Sequence, residues 1–188
     1  MSELRTNRIV PRDGLPSGST GTRKGGGILQ VVYAQKKDTQ TITGSNQRTD
    51  IDISGLSFTI KPSSSSSLIL IQANIAAFVD GNQQMSFSLK ANGSIITDAI
   101  GDAGNSSQKR VLASAFGNQG TNDDWHIGTT SYSYLHAPAT TSAVTYQATV
   151  YMATNDGTSY INRSERDGGY THYDYRTIST ITGMEVSG

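Results

Sequence analysis

At 188 residues, 20.0 kDa and zero formal net charge, the chain is long enough for one folded core and lacks an overall electrostatic footprint for nucleic acid. Charged side chains make up 16% of it, against about 25% in ordinary domains, and Ser, Thr, Asn, Gln and Gly fill the difference. With no cysteine, thiol catalysis, disulfides and cysteine-held metals are excluded, and no run of about eighteen apolar residues offers a membrane-spanning helix.

The first segment, residues 1–27, differs from the rest. Residues 1–24 carry five basic and two acidic side chains, a net charge of +3 that leaves −3 for the remainder. Two of the four prolines lie here, Pro11 and Pro16, and the segment closes on Gly25-Gly26-Gly27, so it reads as an extended arm and hinge. It holds no apolar stretch of the kind a secretory signal needs. Its basic residues Arg5, Arg8 and Arg12 interleave with Leu4, Ile9, Val10 and Leu15, without an aromatic stacking platform. That mixture fits docking on a partner protein better than binding nucleic acid.

From Ile28 the apolar period becomes two. Ile28 to Ala34 is a strand candidate, and Ile51 to Ile60 is a second whose parity flips across Ser54-Gly55, which predicts a β-bulge at Gly55. Pro62 stops that strand, and the serines after it predict a tight polar corner with neither a linker nor a site in it. Leu68 to Val79 follows, with Ile69, Ile71, Ala73, Ile75, Ala77 and Val79 on one face. The other face opens with Leu68 and Leu70, so this strand is either central in a sandwich or covered by another subunit.

Met85, Phe87 and Leu89 run into Asn92-Gly93, the strongest hairpin signal in the chain, with Ile95 and Ile96 returning. Later strand candidates are Lys109 to Phe116, Gly128 to Leu135, Val144 to Met152, Ser159 to Asn162 and Thr177 to Val186. No window carries a helical stripe. Eight or nine short strands predict an all-β, antiparallel, jelly-roll-like sandwich over residues 28–188.

The fragments "ELRTNRIVPRDGLP", "GGILQVVYAQKKDT", "DISGLSFTIKPSSSSSLILI", "YLHAPATTSAVTYQATVY", "YINRS" and "STITGMEVSG", in that order, resemble tail-fibre and virion-appendage proteins of tailed bacteriophages, especially those of marine and cyanobacterial hosts. The resemblance runs over nearly the whole chain. It implies a virion structural protein, made in the bacterial host and usually trimeric. An N-terminal arm would join a larger assembly while a β domain faces outward. It supplies no catalytic residue and no cofactor to carry over. Residues 98–126 and 165–176 fall outside the pattern.

Those two stretches hold the remaining candidates. "DDWHIG" places Asp123, Asp124, Trp125 and His126 together, and "YTHYDYR" sets His172 and Asp174 at strand spacing. A hydrolase would need an activated nucleophile, and no G-x-S-x-G elbow provides one. A Ca²⁺ site built on Asp102, Asp123 or Asp124 would lack the D-x-D-x-D-G spacing. Trp125, Tyr170, Tyr173 and Tyr175, with His172, instead suit recognition of a host surface glycan or protein, because tyrosine gives large contact area at low rotamer cost. The plainer reading of the same residues is an exposed loop or a Tyr-lined subunit contact.

Overall fold

The computed structural model describes residues 27–43, 48–79, 84–102, 104, 108–116, 126–153, 157–172 and 174–188. Eleven strands follow in order: β1 (Ile28–Lys36), β2 (Gln40–Ile42), β3 (Ile51–Ile60), β4 (Leu68–Phe78), β5 (Gln84–Ala91), β6 (Ser94–Ile95), β7 (Ala113–Phe116), β8 (Gly128–His136), β9 (Val144–Met152), β10 (Ser159–Ile161) and β11 (Ser179–Val186). The only helical turn among the described residues is the 3-10 segment Thr97–Ala99, so none offers a helix long and apolar enough to cross a membrane.

The strands form two antiparallel sheets. In the first, β1 pairs β11, β11 pairs β4 and β4 pairs β8. The short β10 continues the β11 edge of β4 and carries β2. In the second, β3 pairs β9, β9 pairs β5, and β5 pairs both β7 and β6 on its other edge. Taking the eight principal strands in chain order, this connectivity is that of a jelly roll. The sandwich read from the alternating pattern is therefore present, with β2, β6 and β10 as additions of two or three residues.

Alternation explains the core. Ile69, Ile71, Ala73 and Ile75 of β4 face Met85, Phe87 and Leu89 of β5 and Tyr146, Ala148 and Val150 of β9 within one buried cluster. In β3 the parity switch occurs where expected: Gly55 takes φ 78°, the register shifts between Asp52 and Ser57, and Ile53, Leu56, Phe58 and Ile60 all end up inside. Phe58 lies over Gly183 of β11, where a Cβ would strike its ring. Asn92 and Gly93, both at positive φ, close the β5–β6 hairpin.

Several boundaries differ from expectation, and one strand was not expected. Lys109–Leu112 is not strand: Lys109 Nζ pairs with Asp50 Oδ2 at 2.6 Å and Arg110 Nε donates to the Gly101 carbonyl at 2.6 Å, so these side chains tie loops together and only Ala113–Phe116 enters the ladder. The last strand begins at Ser179 because the Thr177 amide is used by the Asn162 carbonyl. β2 had no counterpart in the sequence pattern.

Candidate interaction surfaces

The first sheet has an inner face on the core and an outer face on solvent. Pairing registers place Val31, Met184, Leu70 and Leu135 in one rung across β1, β11, β4 and β8. Val31 is 57% exposed and Leu135 48%. Ile28, Val186 and Leu68 make a shorter rung beside it, at the end where the chain enters from Gly27. The next rung inward is Tyr33, Thr182, Gln72 and Ser133, followed by Gln35, Thr180, Asn74 and Ser131. Ser131 Oγ donates to Asn74 Oδ1 at 2.7 Å, and these amides and hydroxyls line a shallow depression of about 290 Å³. Leu68 and Leu70 thus lie in a central strand and also face outward, where they are half-buried.

The outward positions of β1, β11, β4 and β8 hold no Asp, Glu, Lys, Arg or His. The four strands contain Lys36, Glu185 and His136, and all three belong to the inner face. Lys36 is buried and donates to Asp38 Oδ2 (2.7 Å) and Ser54 Oγ (3.0 Å), and the ammonium holds the Asp38 carboxyl below its usual range. His136 Nδ1 lies 2.7 Å from the Tyr146 hydroxyl. Burial favours the neutral imidazole, with Asp98 opposing, and burial also pushes the Tyr146 phenol up, so the pair is neutral.

Glu185 is fully buried at the arm end. Its Oε1 accepts the Ser63 amide (2.7 Å) and hydroxyl (2.6 Å), and its Oε2 accepts Gln30 Nε2 (2.5 Å), which also donates to the Lys61 carbonyl (2.7 Å). Burial disfavours the charge, but these donors outweigh it and hold the carboxyl down to about 2. The serine corner is a turn, with the Ser67 amide donating to the Ser64 carbonyl. Within this corner Ser63 also has a structural role, as the donor to a buried carboxylate of the same chain.

At the opposite end, the segment between β10 and β11 is closed at its base by Asn162. This residue is buried at φ 65°; its Nδ2 donates to the Lys36 (2.9 Å) and Asp38 (3.0 Å) carbonyls and its Oδ1 accepts the Ser179 hydroxyl (2.6 Å). Arg163 and Arg176 form a β-bridge and both pair with Asp167. Beyond them the Tyr170 amide donates to Asp174 Oδ2 (2.8 Å), Arg166 covers the Tyr170 ring, and the Tyr175 hydroxyl donates to the His172 carbonyl (2.9 Å).

Of the recognition candidates, Tyr170, His172 and Tyr175 are exposed in this one segment, whereas Trp125 and Tyr173 lie outside the described residues. His172 sits in a turn, so the strand spacing that would align it with Asp174 does not apply, and Asp174 is engaged by the Tyr170 amide. Asp102 accepts the Gly104 amide (3.4 Å), Asp123 and Asp124 fall outside the described residues, and among those described no three His, Asp or Glu side chains gather to hold a metal. The arm residues Leu4, Arg5, Arg8, Ile9, Val10, Arg12 and Leu15 are likewise outside them.

No protein-family model and no curated protein matches the chain. Among solved structures it is similar to infectious bursal disease virus, Gx strain, with a TM-score of 0.45 and 11% identity over 95% of this chain and 47% of that one. It is also similar to T=1 particles derived from that virus, with a TM-score of 0.45 and 9% identity over 95% of this chain and 41% of that one. The chain spans less than half the length of these structures' chains.

Proposed function

We propose that the chain is a non-enzymatic virion structural protein of a tailed bacteriophage, a trimeric tail or neck appendage that docks through residues 1–27 and exposes its β domain. The observation that carries this reading is the polarity of the roll. The basic, apolar-studded segment joins β1 at Gly27, beside the Glu185 clamp, while the exposed Tyr170 and Tyr175 project from the far end. Such a molecule has one end suited to anchoring and another to presentation. Jelly rolls serve viral capsids and lectins alike, so the fold by itself does not choose between them. The resemblance of "GLSFTIKPSSSSSLILI" and its companion fragments to phage appendages favours the virion.

A head decoration or cement protein is the second reading, since an anchoring arm and a β domain serve it equally well. Receptor recognition by Tyr170, His172 and Tyr175 would be a property of the appendage rather than a rival to it. Imaging purified particles that carry a label on this protein tests the assignment. Label at the tail or neck is expected; label spread over the capsid in hundreds of copies selects the decoration role, and unlabelled particles overturn both.

A further inference from the structure

We propose that the uncharged outer face of the first sheet is the surface on which copies of this chain pack against one another around a shared axis running along the strands. The inference rests on reading the protein as an assembly subunit and names the surface that does the assembling.

The distribution of charge supports it. Solvent-facing sheets normally place ionisable side chains outward and apolar ones inward. Here the acidic and basic residues of the four strands point inward, two of them buried with hydrogen-bond partners, while the outward positions carry none. Depletion of charge with retained apolar and amide groups is the composition of an interface core, and it lets like meet like without repulsion. The apolar rung through Val31 and Leu135 gives the contact its dry part, and the Gln72–Ser133 rung gives it hydrogen-bonding capacity. Four strands about 4.8 Å apart and eight residues at about 3.3 Å each cover on the order of 500 Å², more than half the roughly 800 Å² that a stable interface buries per partner.

The sheet edges agree. β1 and β8 are nine residues each, contain no proline, and among the described residues pair only with β11 and β4 respectively. An isolated domain usually guards such edges with outward charge. The axis direction follows from polarity: only an axis along the strands lays apolar half on apolar half and sends every arm out at the same end.

Sedimentation of the full chain at micromolar concentration is the test, using wild type, Leu70→Arg and Leu135→Arg, with Tyr175→Arg as a control at the far end. Wild type and control are expected at a multiple of 20.0 kDa, and both leucine variants at the single-chain mass with an unchanged β-type circular dichroism spectrum. Leu135 is already exposed on an edge strand, so that variant folds even if Leu70→Arg does not. The absence of native cysteine allows a second reading: Gln72→Cys alone should give an oxidised cross-link between copies. A wild-type chain at single-chain mass overturns the proposal and leaves the face to a different protein. Multimers that persist in both leucine variants overturn it too, yet leave the virion assignment standing. Particles without the protein remove that assignment and leave the face unaffected.

Discussion

Asn162 concentrates more of the structure than its place in a three-residue strand's wake would indicate. Its amide satisfies two carbonyls and one hydroxyl, the bonds to Lys36 and Ser179 being buried, and its backbone sits at a positive φ that asparagine tolerates better than most residues. Asn162→Ala is expected to cost about 3 kcal/mol, because two buried groups and a half-buried carbonyl lose their partner together. A thermal melt of the variant should fall by roughly 10 °C, and a change below about 2 °C would show that the network is dispensable. Nothing in the sequence marked this residue: "YINRS" has a strand pattern, and the carbonyls Asn162 serves lie more than a hundred positions upstream, at Lys36 and Asp38. Gly183 is similar, being legible as a required glycine only once Phe58 is seen above it.

Among the elements, the serine corner and the root of β1 form one device through Glu185. The folded carboxyl titrates near 2 and the ordinary one near 4.5, so the clamp contributes fully above about 4.5 and its contribution is lost as the pH falls towards 2. Acid titration of stability should therefore be steeper for wild type than for Glu185→Gln between those limits; parallel curves would mean that the clamp does not respond to acid. Local signals made much of this architecture readable. The period of two in Ile51–Ile60, the Gly55 break and the Asn92-Gly93 turn each depend on a few neighbouring residues. β2 was not readable, because three residues with one buried side chain, Ile42, become a strand only when β10 arrives from far along the chain. The candidate surface was half legible. Leu68 and Leu70 stand out as apolar on a second face, but Val31, Met184 and Leu135 join them only through registers between distant strands.

For the whole molecule, the roll and the arm should be separable. The described core is assembled from the β-strands and residues 1–24 read in sequence as an arm, so their deletion is expected to leave a cooperatively folding domain that no longer joins particles. Quantifying the truncated protein in purified particles checks this, and normal occupancy would place attachment elsewhere. The Glu185 clamp fixes where such an arm begins, since Gln30 ties β1 to both β11 and the chain that leaves β3. The strands then act as a spacer. Nine residues of β1 at about 3.3 Å each amount to roughly 30 Å between the arm root and the base of the Tyr170–Tyr175 segment. If the arm anchors the protein as proposed, the sheet length would set how far beyond the arm root a partner bound at those tyrosines stands.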